Sequence, residues 1–206
     1  MNLLSSFKKV FIMGIGGSGM SSIAKYLKQK GHNVEGYDQR ISYITNLLES
    51  DGVKTFQNLD DFKYQKDVLY IISSAINLED TFLANYYENE NVISRPKFLE
   101  LLSEEVEIIG ITGTHGKTST TALVSHIFHF NNKNASFIYG GVSGFGNLGG
   151  HFGEETQPLI LETDEAFNTF KNINIKDLIV TNIDNDHIDF YESVSYTHLT
   201  LPTTPY

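Results

Sequence analysis

Short apolar runs alternate along this chain with stretches in which apolar positions recur at helical spacing, three or four residues apart. Most runs end in glycines or polar residues, as buried strands do when a turn follows them. Strands are predicted at residues 9–13, 33–37, 53–56, 67–72, 92–94, 108–111, 136–139, 158–161 and 178–183. Helices are predicted at residues 20–30, within 41–52, and at 79–89, 97–102 and 117–130. Gly31 is expected to end the first of these helices, and the apolar side chains of the last are expected to face inward: Leu123, Val124, Ile127 and Phe128.

This order of elements predicts an α/β protein with two domains. The first, over residues 1–103, is expected to be Rossmann-like with a parallel sheet. The second, over residues 104–192, is expected to be an α/β domain with a phosphate loop. A polar, acidic break separates the two patterned halves. Residues 193–206 follow neither the hydrophobic pattern nor the strand–helix rhythm, and we expect them to be an extraneous tail.

A first glycine loop joins the first predicted strand to its helix. It matches the Gly-x-Gly-x-x-Gly pattern of nucleotide-binding sites, and Asp38 stands at the end of the next strand. The pattern predicts a nucleotide diphosphate at the helix start and a ribose hydroxyl on Asp38. It is typical of nicotinamide or flavin cofactors but does not specify the nucleotide. The loop residues assigned to this site are Gly14, Ile15, Gly16, Gly17, Ser18 and Gly19.

Two serines, Ser73 and Ser74, follow the strand predicted at 67–72. Ligands of open parallel sheets collect at the carboxyl ends of strands, so these hydroxyls either bind the same nucleotide or cap the next turn.

A second loop, Gly110-x-x-Gly113-x-x-Gly116-Lys117-Thr118, again lies between a strand and a helix. Its first glycine is displaced from the common phosphate-loop pattern, yet the strand–loop–helix order favours a nucleoside triphosphate over a plain turn. We expect Lys117 to reach the terminal phosphates and the Thr118 hydroxyl to bind Mg²⁺. The residues assigned to this site are Gly113, Thr114, His115, Gly116, Lys117, Thr118 and Ser119.

Acidic residues end the strand predicted at 158–161. A carboxylate at the end of a strand beside a phosphate loop suits a further Mg²⁺ contact, for which Glu162 is the first candidate and Asp164 the second. His187 follows a core strand within a polar cluster, which favours a role near metal or phosphate. His126 and His129 are expected to be partly exposed helix residues.

Composition narrows the possible functions. The formal net charge of −10 argues against non-specific binding to nucleic acid. The sequence contains no cysteine, which excludes disulfides and a thiolate site and fits a cytoplasmic location. No apolar run approaches the length of a membrane span, so membrane insertion is not expected.

Taken together, the motifs at residues 14–21, 73–76, 113–118, 162–165 and 181–191 resemble those of the Mur ligase family. The resemblance implies that the first domain binds UDP-N-acetylmuramate and that the second binds ATP and Mg²⁺. The Thr114–His115 pair points to members that add L-alanine through an acyl phosphate. The resemblance also implies that Thr118 and Glu162 are ligands of one Mg²⁺, that His187 lies at a second, and that Lys117 and His187 are catalytic.

The chain also departs from the family. Family members are more than twice as long, so the resemblance implies a truncated second domain that binds its substrates without turnover. Residues 166–168 read Ala-Phe-Asn where the family usually has a serine and an aspartate.

Two other interpretations stay open. The first glycine loop alone would suit a nicotinamide-dependent oxidoreductase, and the chain as given would suit a simple binding module. The segment 140–153 contains seven glycines and is expected to be either a loop that closes over a substrate or a connector.

Overall fold

A computed structural model describes residues 6–142, 147–163 and 172–183. They form two α/β units, each built on a five-stranded sheet. The first unit contains β1 (Lys9–Met13), α1 (Ser18–Gln29), β2 (Asn33–Tyr37), α2 (Tyr43–Ser50), β3 (Lys54–Phe56), β4 (Val68–Ile72), a 3₁₀ helix (Leu78–Asp80), β5 (Val92–Ser94) and α3 (Arg95–Glu105). The second contains β6 (Ile108–Thr112), α4 (Lys117–Phe130), β7 (Ser136–Val142), β8 (Leu148–His151), β9 (Leu159–Glu162) and β10 (Ile175–Val180).

The first sheet has the strand order β3-β2-β1-β4-β5, and all its pairings are parallel. The central strands β1 and β4 are almost fully buried, because helices pack on one face and an aromatic cluster around Phe11 packs on the other. Carboxyl ends of parallel strands share one edge, so the first glycine loop, Asp38 and Ser73 meet there. The predicted Rossmann-like unit is confirmed.

Helix α1 follows the first glycine loop and ends two residues before Gly31. Gly31 has a φ of +102°, and its N–H donates to the carbonyl of Lys28 while that of His32 donates to Leu27. This pairing satisfies the last carbonyls of the helix and ends it, as the glycine predicted. Within the described residues, the helices are too short or too polar to cross a membrane.

The second sheet has the order β10-β6-β9-β7-β8 and is parallel except for β8, which runs antiparallel to β7. Residues 140–142 of the glycine-rich segment belong to β7, and residues 148–151 form β8. These residues are therefore parts of two paired strands, and the expectation of a closing loop or connector was wrong for them. Gly149 and Gly150 are needed there because a Cβ would collide with the carbonyls of Tyr139 and Ser22, respectively.

Helices α1 and α4 cover opposite faces of the second sheet. Leu159 and Leu161 of β9 share a core with α1, whereas Ile160 between them packs with Val124 and Phe128 of α4. A helix of the first unit thus completes the core of the second. Both helices start at a glycine loop, so the fold brings the two loops to the same sheet.

The prediction of a helix at 79–89 was wrong, because the structure has the 3₁₀ helix followed by turns there. Polar side chains bond the local backbone here: Asn77 accepts the N–H of Glu79, and the Thr81 hydroxyl accepts that of Leu83. Such bonds favour turns over a helix. Of the apolar residues that suggested a helix, Phe82, Leu83 and Tyr86 pack onto the aromatic cluster, with Leu83 fully buried. Tyr87 is 62% exposed.

The apolar face of α4 also differs from the prediction. Val124 and Phe128 pack inward as expected. Leu123 and Ile127, also predicted to face inward, are 58% and 50% exposed.

Candidate functional site

The first glycine loop is held by the end of β2. The N–H groups of Gly14 and Ile15 both donate to the carbonyl of Tyr37, at 2.8 and 3.0 Å. The carboxylate of Asp38 accepts the N–H of Gly16 at 2.9 Å. Asp38 therefore shapes the loop itself, and its contact with a ribose stays a prediction.

Helix α1 begins immediately after this loop. Its N-cap, Gly17, makes no side-chain hydrogen bond to the helix start, so the first-turn N–H groups face outward in the geometry that binds anions. Ser18 is exposed, and its Oγ lies 3.3 Å from the point where a Cβ on Gly140 would stand. The start of α1 therefore borders the second unit.

The two predicted serines lie beside the loop. A Cβ on Gly14 would stand 2.9 Å from the Cβ of Ser73, which makes this approach possible only for glycine. The Ser73 hydroxyl accepts the N–H of Ala75 at 3.3 Å, so it also caps the turn. Ser73 and Ser74 both line a cavity of about 470 Å³ at this edge of the sheet.

Sequence reasoning missed Arg95, which lines the same cavity. Its guanidinium lies 3.1 Å from the Cβ position of Gly19, next to the start of α1. The signal was its place directly after β5, since a cation at the carboxyl end of a parallel strand stands where ligands collect.

The second loop is braced by the residues that follow β10. The carbonyl of Asn182 accepts the N–H of Thr114 at 3.2 Å, and its side-chain Oδ1 accepts that of His115 at 2.9 Å. The Thr181 hydroxyl donates to the carbonyl of His115 at 2.6 Å. A Cβ on Gly113, whose φ is +131°, would collide with that hydroxyl. The sequence placed residues 181 and 182 on a strand but did not reveal this bracing.

Lys117 folds back over its own loop. Its Nζ donates to the carbonyl of Gly113 at 2.7 Å and lies 3.5 Å from that of Thr114. Helix α4 starts at Gly116, which has a φ of +81° and makes no side-chain cap bond. The ammonium therefore lies against the same short loop that carries the N–H groups of the helix start.

Thr118 and Glu162 meet directly. The Thr118 hydroxyl donates to Glu162 Oε1 at 2.8 Å, and the N–H of Gly140 donates to Glu162 Oε2 at 2.6 Å. Hydroxyl and carboxylate oxygens are the hard donors that Mg²⁺ prefers, so this pair fits a Mg²⁺ ion. Among the described residues, no group of three or more His, Cys, Asp and Glu is arranged to hold a metal ion.

Two predicted residues, Asp164 and His187, lie outside the described residues. His126 and His129 are exposed on α4, as expected. Together with His151 they line a separate cavity of about 640 Å³. Burial lowers the pKa of His151, and the nearby charges of Lys25 and His129 lower it further.

Comparison with known proteins adds an independent line of evidence. A family model described as "Mur ligase family, catalytic domain" matches residues 9–107. The UDP-N-acetylmuramate–L-alanine ligase of Cytophaga hutchinsonii is 33% identical over 201 residues, covering 93% of this chain and 43% of that protein. The enzyme of the same name from Rickettsia felis is 35% identical over 205 residues, covering 92% and 41%. The chain thus spans less than half the length of these curated relatives.

Solved structures of two ligases match the fold of this chain. The UDP-N-acetylmuramate-alanine ligase of Thermotoga maritima matches with a TM-score of 0.76 at 28% identity, covering 92% of this chain and 44% of that one. A UDP-N-acetylmuramate:L-alanyl-gamma-D-glutamyl-meso-diaminopimelate ligase from Neisseria meningitides matches with a TM-score of 0.73 at 22% identity, which shows a shared fold.

Proposed function

Because this chain belongs to the Mur ligase family, we propose that it forms the nucleotide-binding part of an ATP-dependent ligase that joins L-alanine to UDP-N-acetylmuramate. Such a reaction serves the synthesis of peptidoglycan precursors, and we assign it to the cytoplasm because it consumes ATP. The relatives support a ligase and give no support to the oxidoreductase interpretation.

One observation carries the proposal: the helices that start at the two glycine loops cover opposite faces of one sheet. Glu162 bonds Thr118 of the second loop and the N–H of Gly140, which lies beside Ser18 of the first loop. A loop for a diphosphate and a loop for a triphosphate at one edge suit a reaction that brings a nucleotide-linked acid to ATP. A single-cofactor oxidoreductase has no use for the second loop.

The chemistry requires such an arrangement because a carboxylate is a poor electrophile. In the proposed reaction a carboxylate oxygen of UDP-N-acetylmuramate attacks the γ-phosphorus of ATP, and ADP leaves. The amine of L-alanine then attacks the carbonyl carbon of the acyl phosphate, loses a proton and displaces phosphate, leaving an amide. Splitting one difficult substitution into two easier ones is the general advantage of an activated intermediate.

The candidate site residues that the structure describes each have a role in this proposed reaction. The N–H groups of residues 113–118 and the Lys117 ammonium would hold the phosphates and oppose the charge that develops on the transferred group. Thr118 and Glu162 would hold Mg²⁺, which supplies further charge neutralisation when bound. The start of α1 would hold the diphosphate of the acid substrate, with Asp38 on a ribose hydroxyl and Ser73 and Ser74 nearby.

Isothermal titration calorimetry on this chain tests the proposal. We expect UDP-N-acetylmuramate to bind, ATP to bind in a Mg²⁺-dependent manner, and NADH not to bind. We expect no phosphate release on addition of L-alanine to this chain alone, in keeping with its proposed role as the nucleotide-binding part of the ligase. Tight binding of NADH with no response to UDP-N-acetylmuramate would overturn the proposal.

A further inference from the structure

One peptide group links the two units. Its carbonyl, from Tyr139, accepts a hydrogen bond at 2.6 Å from the hydroxyl of Ser22 on α1. Its N–H, from Gly140, donates to Glu162 Oε2, also at 2.6 Å. A serine of the first unit is therefore connected to the candidate Mg²⁺ ligand through a single planar amide.

The regular sheet pairing is interrupted at this peptide. Strand β7 pairs in register with β9 only over residues 136–138. Its pairing with β8 shifts between Ile138 and Val142. The side chains of Ser22 and Glu162 bond this peptide where the strand pairing is irregular. Such irregularities in strand pairing are often found next to active sites.

Ser22 has little freedom in this position. It is fully buried, and its hydroxyl also lies 2.9 Å from the carbonyl of Ser18 in its own helix. A hydroxyl carries one proton, so it can donate to only one of these carbonyls at a time. The bond to Tyr139 is shorter, whereas the bond to Ser18 is one that any helical serine can make.

We infer that Ser22 is a positioning residue for Glu162 and that it links the diphosphate loop to the Mg²⁺–ATP site. The inference rests on the proposed function of these two loops. Without the Ser22 hydroxyl the Tyr139 carbonyl loses a buried partner, and the peptide is free to tilt because Gly140 and Gly141 offer little resistance. Donation to the carbonyl also strengthens the N–H as a donor, so its loss weakens the hold on Glu162.

Ser21 supplies a matched control. It is fully buried on the same helix, and its hydroxyl donates to the carbonyl of Ser18 at 3.0 Å, within the first unit. Ser21→Ala therefore removes the same atom, and a bond inside α1, without touching the link to Tyr139.

The experiment compares Ser22→Ala with Ser21→Ala in the full 206-residue chain by calorimetry. We expect Ser22→Ala to weaken Mg²⁺-dependent binding of ATP about three- to tenfold, the range of one lost hydrogen bond. Its affinity for UDP-N-acetylmuramate should change less than about twofold, and Ser21→Ala should leave both affinities within that margin. Ser22→Cys, with a similar size and a weak donor, should act in the same direction if the alanine variant does not fold.

Equal effects of Ser22→Ala and Ser21→Ala on ATP binding would overturn the inference, as would a parallel loss of both ligands in Ser22→Ala. If the unaltered chain binds neither ligand, the proposed function fails on its own. Hydrogen exchange of the Gly140 amide then decides the inference: it should be faster in Ser22→Ala than in Ser21→Ala, and equal rates would refute the link.

Discussion

The Asp38 carboxylate holds the Gly16 N–H, with 2.9 Å between Oδ2 and the nitrogen. Its other oxygen, Oδ1, accepts the N–H of Arg40 at 3.1 Å. A Cβ on Gly16 would stand 2.8 Å from Oδ2, so the loop can approach the acid only because residue 16 is glycine. The acidic residue of the fingerprint therefore helps to hold the loop in its conformation.

Replacing Asp38 tests whether its bonds to the loop stabilise the fold. Asp38→Ala removes both acceptors, and we expect the free energy of unfolding to fall by about 1–2 kcal/mol, as for lost bonds to a half-buried carboxylate. Asp38→Asn keeps an acceptor oxygen, so its loss should be smaller. Urea denaturation of the three proteins measures this, and equal stability of Asp38→Ala and the unaltered chain would show that the bonds contribute nothing.

Glu162→Gln tests the candidate Mg²⁺ site. The amide keeps the size of the side chain but removes its charge, so ATP binding should lose its dependence on Mg²⁺ while the weaker binding without metal persists. Calorimetric titration of ATP with and without Mg²⁺ gives this comparison. Glu155→Gln is the control, because Glu155 is exposed and the charge change is the same; identical results for the two variants would exclude Glu162 as a ligand.

Lys117→Met removes the ammonium that bonds the carbonyl of Gly113. A charged hydrogen bond to phosphate is worth more than a neutral one, and we expect ATP affinity to fall about ten- to hundredfold. Lys117→Arg should have a similarly low affinity for ATP, because a planar guanidinium does not replace a compact ammonium inside a small loop. ATP affinity of Lys117→Met equal to that of the unaltered chain would remove Lys117 from the site.

Local pattern was enough to predict the elements that carry the two loops. The strands at 9–13 and 33–37 and the helix at 117–130 match β1, β2 and α4. β1 is a continuous buried run, β2 alternates between buried and more exposed positions, and glycines or polar residues mark the ends of all three elements. The failure at 79–89 has the opposite cause. Its apolar spacing was helical, but Asn77 and Thr81 compete for the backbone, and the aromatic cluster satisfies the apolar residues without a helix.

The contacts between units could not be predicted. Nothing in the sequence around Ser22 or Gly150 indicates that α1 packs on β7 and β8, since buried positions on a helix look the same whichever sheet covers them. The contact between Thr118 and Glu162 was predictable, because a motif and a strand end coincide there. The site was not predictable where distant segments meet, as with Asn182. Arg95 was missed although its place directly after β5 was a signal.

Acid should destabilise the fold in part through His32 and His151. Burial lowers the pKa of His32, whose Nδ1 lies 2.9 Å from the carbonyl of Phe7, and burial and nearby positive charge lower that of His151. A depressed histidine pKa means that protons bind the unfolded chain more readily. Stability is therefore retained above the ordinary value near 6.5 and lost as the pH falls below it.

The measurement is the free energy of unfolding between pH 7 and pH 5. A double variant, His32→Gln with His151→Gln, should lose less stability over this interval than the unaltered chain. His126→Gln is the control for a histidine exposed on α4. If the double variant and the control have the same pH slope, the two buried histidines do not contribute.

Gly150→Ala tests the packing of α1 on the second unit. A Cβ at Gly150 would collide with the Ser22 carbonyl, and its φ is not in the left-handed region, so the cost arises from the collision alone. Backbone cannot move aside as a flexible side chain can, and we expect the free energy of unfolding to fall by about 1–3 kcal/mol. Gly31→Ala separates this collision from backbone strain. The φ of Gly31 is +102° and nothing lies within 4 Å of its Cβ position, so the variant should lose about 1 kcal/mol of unfolding free energy through strain alone.

Because α1 carries the first glycine loop, Gly150→Ala should also weaken UDP-N-acetylmuramate binding, whereas Gly31→Ala should not. A Gly150→Ala protein as stable as the unaltered chain would mean that α1 and β8 are not in contact in solution.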